Sequence, residues 1–150
     1  MSTIRAFTAA DARACLAIFD GNVPQFFGVH ERADFSAYLQ QPARAVDYLV
    51  IERGSRVVAC GGLAMDDALT AAFCWGMVDH TVHRQGLGSE LAHARLQQAR
   101  AHGARRVVLS TSQHTCDFYA ALGFGITRIV TDGHGPGLDA VDMQRVMPLE

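Results

Sequence analysis

The sequence contains no lysine. Its 150 residues include 13 basic residues, all of them arginine, against 15 acidic ones. A phosphate-binding loop that ends in lysine, a Schiff base with substrate or pyridoxal phosphate, and a Ser-x-x-Lys nucleophile all require a lysine amine. The sequence therefore excludes these chemistries, and any phosphate group must be bound by backbone amides and arginine.

A strong charge of either sign is also missing. The net charge is −2 at pH 7, and the arginines are spread along the chain rather than clustered. Nucleic-acid binding depends on clustered positive charge, so we predict no nucleic-acid partner. The four cysteines have neither the spacing of a zinc site nor the density of a disulfide scaffold, which indicates reduced residues of a cytoplasmic protein.

Long apolar runs are absent as well. No segment approaches the roughly 20 apolar residues of a membrane-spanning helix, and the first residues lack a signal-peptide pattern. We therefore expect a cytoplasmic protein with no membrane partner. Because 49% of the residues are apolar, a chain of this length can fill one hydrophobic core, and residues 1–150 are predicted to form a single domain.

Helical and strand periods alternate along the chain without a linker. They predict an α/β fold in which an antiparallel meander precedes a strand–helix–strand unit with parallel strands. The predicted helices begin after Thr8, near Phe35, at Gly86 and at Cys116. The predicted strands are Ile4–Phe7, Val46–Arg53, Arg56–Met65, Leu69–Val78, Val107–Ser112, Phe124–Thr131 and Leu138–Met147.

The most informative segment is the loop of residues 83–89, His-Arg-Gln-Gly-Leu-Gly-Ser, between a predicted strand and a predicted helix. Helix N-termini carry free N–H groups and a partial positive charge that bind pyrophosphate, and Gly86 and Gly88 leave room for it. A G-x-G-x-x-G dinucleotide motif would need glycine where the chain has Leu91, and a Walker loop would need lysine. A plain strand-to-helix turn is the simplest alternative interpretation.

The residues of this loop, and its place between a strand and a helix, resemble motif A of the GNAT superfamily of acyl-CoA-dependent N-acyltransferases. The pattern of that motif is Gln/Arg-x-x-Gly-x-Gly/Ala, and this sequence has His83 in place of Gln or Arg. The segment from Tyr119 to Phe124 is similar to the family's Tyr-x-x-x-Gly-Phe signature. The resemblance implies a single-domain GNAT-like fold, with a central mixed, twisted sheet of about seven strands and flanking helices. It also implies acetyl-CoA as the cosubstrate.

The resemblance further implies where acetyl-CoA binds. The implied cofactor-binding residues are Met77, Val78, His83, Arg84, Gln85, Gly86, Leu87, Gly88, Ser89 and Ser112, the last standing where the family usually has asparagine. In the family the strand that ends at Met77–Val78 separates from its parallel neighbour and offers backbone N–H groups to the thioester. Gly76 is consistent with a β-bulge there, or with tight packing under a neighbouring side chain.

Acyl transfer to an amine also needs an acid and a proton acceptor. The resemblance makes Tyr119 the candidate general acid, because a phenol with a pKa near 10 can protonate the departing thiolate. The acceptor of the amine proton stays open. The segment Gly21–Glu31 contains two aromatic residues, and Glu31 at its end is the base candidate. Asp79, His80, His114 and an ordered water are the alternatives.

Three aromatic residues and a cluster of histidines are two further features of the sequence to be considered for the site. Phe26, Phe27 and Trp75 form either an apolar wall for the acceptor substrate or part of the core. Residues 79–83 read Asp-His-x-x-His, but they offer no complete set of four ligands and lie in a loop that must hold pyrophosphate. We therefore predict no metal.

These observations predict an N-acetyltransferase that moves the acetyl group of acetyl-CoA to a primary amine, directly within a ternary complex as the family implies. The acidic residues Glu31, Asp66 and Asp67 favour a small cationic acceptor. Two alternatives remain: a peptide N-terminal acetyltransferase, and a non-catalytic acyl-CoA-binding or sensing module. Because dimers are common in the family, a homodimer is an implied assembly.

Overall fold

A computed structural model describes residues 2–41 and 48–148 of the chain. The strands are β1 (Ser2–Ala6), β2 (Tyr48–Arg53), β3 (Arg56–Asp67), β4 (Thr70–Val78), β5 (Arg106–Thr111), β6 (Gly125–Gly135) and β7 (Leu138–Val146). The helices are α1 (Ala12–Gly21), α2 (Arg32–Leu39), α3 (Leu87–Ala101) and α4 (Cys116–Ala121). Each predicted strand and helix is therefore present. Val46, the predicted start of β2, lies outside the described residues.

Strand β6 differs most from its predicted bounds. The sequence predicts that β6 ends near Thr131 and that a glycine-rich connection follows, whereas the strand continues to Gly135. Its pairing with β7 shifts register between Val130 and Gly135. An irregular strand can absorb glycines that would end a regular one, because a register shift releases residues from strict pairing. The turn between β6 and β7 is therefore shorter than predicted.

The strands form one mixed sheet in the order β1-β2-β3-β4-β5-β7-β6. Strands β1 to β4 are antiparallel neighbours, β4 and β5 are parallel, and β7 pairs antiparallel with both β5 and β6. Helix α3 connects the two parallel strands, as the strand–helix–strand pattern predicts. No helix among residues 2–41 and 48–148 is long and apolar enough to cross a membrane.

Both faces of the sheet carry helices over a buried core. Neighbouring residues of β2 point to opposite faces: Val50 packs with Phe19 of α1 and Phe35 of α2, whereas Ile51 packs with Leu91 of α3. The apolar side chains of α3 that are buried are Leu87, Leu91, Ala92, Leu96 and Ala99. The helix pair α1 and α2 therefore covers one face, and α3 covers the other.

The feature that positions the site is a gap between β4 and β5. The two strands pair only where they begin, with Thr70–Ala72 of β4 beside Arg106–Val108 of β5. Beyond this short ladder β4 stays paired with β3 up to Val78, while β5 pairs with β7. The second half of β4 therefore has a free edge that faces the gap.

Candidate active site

A β-bulge interrupts β4 halfway along this free edge. Between the pairs Cys60–Met77 and Gly62–Cys74, β3 contributes one residue and β4 contributes two, Trp75 and Gly76. The bulge expected at Gly76 is therefore present. Trp75 has φ +47°, a left-handed conformation that is strained for a bulky side chain, so its surroundings must hold it in place.

Contacts from the α1 and α2 face hold the bulge. The hydroxyl group of Tyr48 donates a hydrogen bond of 2.8 Å to the Trp75 carbonyl. Burial raises the pKa of Tyr48 well above its usual value, so its hydroxyl stays protonated and able to donate. The Trp75 ring also lies 5.0 Å from the Phe35 ring and 6.3 Å from the Phe27 ring, between centroids. Trp75 and Phe27 are therefore partly buried and pack against the core, and both remain candidates for the acceptor wall.

The strand register decides which N–H group faces the gap. The Asp79 N–H donates to the Val58 carbonyl of β3 at 2.8 Å. Because the N–H and C=O groups of successive strand residues point to opposite edges, Val78 directs its groups into the gap and Met77 directs its groups toward β3. Of the two predicted backbone donors, Val78 is the one on the free edge.

The Val78 carbonyl is bonded by two side chains. Asn22, at the end of α1, donates from Nδ2 at 2.9 Å, and His83 donates from Nε2 at 2.8 Å. Asn22 is buried and also donates to the Ile18 carbonyl at 2.8 Å. His83 thus fixes the end of β4 rather than pointing at a phosphate. Sequence reasoning missed Asn22, because an asparagine after a helix signals only a helix cap.

The glycine loop has the form that a bound pyrophosphate needs. Gly86 adopts φ +83°, and a Cβ added to it would meet no atom within 4 Å, so a ligand can approach its backbone. The first helical hydrogen bond runs from the Glu90 N–H to the Gly86 carbonyl. The preceding N–H groups, those of Leu87, Gly88 and Ser89, lie before the helical ladder and are the expected phosphate donors.

The remaining predicted cofactor residues take different places. Arg84 is exposed and has φ +64°, whereas the Leu87 side chain is in the core, so Leu87 offers only its backbone. Gln85 Oε1 accepts from the Arg53 guanidinium at 2.6 Å. Ser112 is buried, and its Oγ accepts from a backbone N–H of the β5–α4 turn at 3.2 Å. The Ser112 hydroxyl therefore shapes this turn.

Tyr119 lies on α4, next to the origin of the gap. Its half-buried ring packs edge-on against Phe124 and Phe118, with centroids 5.8 and 5.0 Å away. Phe124 in turn contacts Phe73, the first residue of β4 beyond the ladder with β5. Phe118 lies 3.4 Å from the Cβ position of Gly88. The two sequence motifs, 30 residues apart in the chain, therefore lie on the same side of the gap.

The loop between α1 and α2 reaches across the gap from the other face. The Phe26 ring lies 5.5 Å from the His83 ring and 6.2 Å from the His114 ring, between centroids. It therefore contacts the loop that follows β4 and the loop that follows β5. Glu31 Oε2 accepts from the Gly28 N–H at 2.9 Å, so one oxygen of the base candidate stabilises this loop.

The same loop meets the β6–β7 hairpin. A Cβ added to Gly135 would lie 2.8 Å from Cε1 of His30, and a Cβ added to Gly28 would lie 3.2 Å from the His134 carbonyl. His134 Nε2 also bonds Ser110 Oγ of β5 at 2.9 Å. We call this contact between loop and hairpin the bridge; it crosses the sheet on the α1 and α2 face.

The aspartates considered for binding a cationic acceptor lie in different parts of the sheet. Asp66 and Asp67, expected on the acceptor side, lie at the end of β3, where Asp67 pairs with Thr70 at the opposite end of β4 from Val78. The two residues therefore lie at the end of β4 where the strand begins, whereas Val78 lies where it ends. Asp142 pairs with Ser110 and lines a cavity of about 380 Å³ beside β4 and β5.

Two further base candidates lie on the β3 side of the strand end. Asp79 pairs with Arg56 and accepts from the N–H and hydroxyl of Thr81. Burial opposes ionisation of Asp79, but these hydrogen bonds prevail and lower its pKa. His80 is exposed beside it. Among residues 2–41 and 48–148, no group of three His, Cys, Asp or Glu side chains could hold a metal ion.

Comparison with known proteins agrees with this geometry. Residues 15–124 match the family described as the acetyltransferase (GNAT) family. None of the curated proteins compared with the chain matches it.

Solved structures share the fold over nearly the whole chain. Ard1 from Thermoplasma volcanium is 21% identical, with 99% of each chain covered and a TM-score of 0.83. The ribosomal-protein-S18-alanine N-acetyltransferase from Escherichia coli is 18% identical, with 100% of this chain and 96% of that chain covered and a TM-score of 0.82. YncA from Salmonella typhimurium, with its cofactor acetyl-CoA, is 20% identical, with 100% and 96% covered and a TM-score of 0.78.

Proposed function

The chain belongs to the GNAT acetyltransferase family, and on this premise we propose that it transfers the acetyl group of acetyl-CoA directly to the primary amine of a small molecule within a ternary complex. Family membership makes the protein an acyltransferase that uses acetyl-CoA. The gap between β4 and β5 carries the proposal, because it leaves the Val78 N–H beside a cleft that the glycine loop borders.

Backbone groups and one arginine would hold the cosubstrate. The N–H groups of Leu87, Gly88 and Ser89 and the partial charge of the α3 N-terminus suit the pyrophosphate, with Arg84 exposed beside them. The Val78 N–H suits the thioester or the pantetheine arm, and such a donor contributes about 2.7–4 kcal/mol where it stabilises negative charge on the reacting oxygen. Acetyl-CoA supplies an acyl group activated as a thioester.

Tyr119 is the proposed acid that protonates the departing thiolate. Its ring is fixed by Phe118 and Phe124, which leaves the hydroxyl as the part of the side chain free to act. The phenol and thiol have reference pKa values near 10 and 8.5, so proton transfer to the thiolate is only modestly uphill. This role rests on the family signature and on the place of α4 beside the gap.

Glu31 is the proposed acceptor of the amine proton. An alkylamine is neutral in only about one molecule in ~2,500 at pH 7, which corresponds to a cost of about 4–5 kcal/mol, so a proton acceptor is useful. One carboxylate oxygen of Glu31 bonds the Gly28 N–H, and the second remains able to accept. The aromatic side chains of the same loop reach Trp75 and His83.

The bridge favours a small acceptor. It spans from the α1–α2 loop to the β6–β7 hairpin, so a molecule must approach the gap past this contact. The cavity lined by Ser110 and Asp142 has the volume for a small molecule, and its carboxylate suits a cationic amine. A peptide N-terminus is the second candidate, favoured by the likeness in fold to an enzyme named as a ribosomal-protein-S18-alanine N-acetyltransferase, whose acceptor is a protein. A homodimer stays a prediction.

A thiol-release assay tests the proposal. The protein is incubated with acetyl-CoA and, separately, with small monoamines, polyamines, amino acids, and peptides with a free or a blocked N-terminus. Free CoA should appear with a small amine, and initial-rate plots should intersect, as expected for a ternary complex. Release only with free peptide N-termini would favour the second candidate. Parallel plots would rule out direct transfer, and CoA binding without release from any acceptor would indicate a non-catalytic module.

A further inference from the structure

A buried arginine lies directly behind the bulge. Arg95, on the sheet-facing side of α3, is 2% exposed. Its terminal nitrogens lie 2.8 and 2.9 Å from the Cβ position of Gly76, and its Cζ lies 3.2 Å from that of Gly61. These two glycines therefore provide the space that the guanidinium group occupies, and any larger residue at Gly76 would displace it.

This guanidinium has few partners for a buried charge. No carboxylate of residues 2–41 and 48–148 lies within 4.0 Å of it. Its Nη1 donates to the Gly62 carbonyl at a long 3.5 Å, and its Nε has no hydrogen-bond partner. Its Cζ lies 4.1 Å from the centre of the Phe73 ring. Among the described residues this buried cation therefore has no anion to offset its desolvation cost, and its favourable contacts are the Gly62 carbonyl and the Phe73 ring.

We propose that Arg95 is a positioning residue whose charge acts through the bulge to stabilise the negative charge that develops on the thioester oxygen during acyl transfer. The proposal rests on the proposed function, in which the thioester oxygen lies beside the Val78 N–H, on the same free edge of β4 as the bulge and two residues beyond Gly76. In a water-poor interior a fixed charge acts strongly on neighbouring groups, and a charge held in place before the reaction needs no rearrangement during it. Because the guanidinium group contacts Gly76 directly, its positive charge lies close to the free edge of β4.

Two variants separate the charge of Arg95 from its packing. Arg95→Met keeps a long apolar stem over Phe73 and removes the charge, and Arg95→Lys keeps the charge. We expect kcat to fall at least about tenfold in Arg95→Met, with the KM for acetyl-CoA unchanged within about twofold. We expect Arg95→Lys, which keeps a positive charge but not the planar group over Phe73, to retain clearly more activity than Arg95→Met. The melting temperature of Arg95→Met without ligand should be equal or higher, because an unpaired buried charge is gone.

The same substitution elsewhere on α3 provides the control. Arg100 is exposed on this helix, and Arg100→Met should leave kcat and KM unchanged. If Arg95→Met does not fold, Arg95→Gln removes the charge with a polar side chain of similar reach. A lower melting temperature together with weaker CoA binding in the neutral variants would overturn the proposal, because this pair of changes marks a structural role.

A spectroscopic measurement distinguishes failure of this inference from failure of the proposed function. A ketone analogue of acetyl-CoA, labelled with 13C at its carbonyl, reports carbonyl polarisation without an acceptor amine. Its 13C resonance should move downfield on binding to the wild-type protein, and less so on binding to Arg95→Met. Equal shifts in the two proteins would overturn the role of Arg95, whatever the amine panel shows. A wild-type protein that releases no CoA would contradict the proposed function alone.

Discussion

Single side chains hold the backbone on which the proposed chemistry depends. Tyr48 donates to the Trp75 carbonyl, and Asn22 and His83 donate to the Val78 carbonyl. A peptide carbonyl that is held fixed also fixes the N–H group on the other side of the same peptide plane. The three donors therefore hold the bulge and the end of β4 in one arrangement before any ligand binds.

At the residue scale we predict that Tyr119→Phe lowers kcat by about 100-fold or more, because general acid catalysis is typically worth that much. The KM for acetyl-CoA should stay within about twofold, because the ring contacts that place the side chain do not involve the hydroxyl. Steady-state kinetics with the best acceptor from the amine panel provide the measurement.

Tyr38→Phe is the matched control for this change, because it removes a phenol hydroxyl that lies against Cys74 Sγ at 3.4 Å. It should leave kcat nearly unaltered. An equal rate in Tyr119→Phe and wild type would remove the acid role from Tyr119. An equal loss in both variants would show that the effect is not specific to Tyr119.

At the scale of elements, α3 is flanked by two glycines with the same positive φ angle. Gly86 before its first turn and Gly103 after its last turn both have φ +83°, and a Cβ on either would meet no atom within 4 Å. Only Gly86 lies in the loop proposed to bind pyrophosphate. The pair therefore separates backbone strain, which both share, from ligand binding, which only one should affect.

We predict that Gly86→Ala and Gly103→Ala each lower the free energy of unfolding by about 1–2 kcal/mol, because an L-residue is strained in the left-handed region. Gly86→Ala should in addition raise the Kd for CoA at least about tenfold, whereas Gly103→Ala should leave it within about twofold. Denaturant unfolding and titration calorimetry with CoA measure the two effects. Equal CoA affinity in both variants would contradict the proposed binding loop.

Elements of this chain are well predicted by local patterns, and their irregularities are not. The spacing of apolar residues in α3 and their alternation in the strands depend on which side chains face the core, so both can be read from the sequence. The bulge at Trp75 cannot be read in this way, because a tryptophan with positive φ contradicts local preference and is held by residues distant in the chain, among them Tyr48 and Phe35. Glycine at position 76 was the one local signal for it.

At the scale of the whole molecule, the absence of lysine has a measurable consequence. The 150 residues contain no lysine amine, so slow background acetylation by acetyl-CoA should be confined chiefly to the N-terminal amine. Intact-mass and peptide mass spectrometry, after hydroxylamine has removed labile thioesters, should find no more than one stable acetyl group per chain. A lysine-rich bystander protein in the same reaction serves as the positive control. Stable acetylation at an internal residue would contradict the prediction.

The sequence by itself determined the family, the α/β class, the order of strands and helices, and the glycine loop before α3. These are properties of neighbouring residues, since hydrophobic period, loop composition and helix termini are local in the chain. Tertiary structure alone decided that β4 and β5 separate after Ala72, that Val78 rather than Met77 faces the gap, and that Arg95 lies behind Gly76. These facts depend on strand register and on contacts between distant segments, and a single sequence carries no direct record of either.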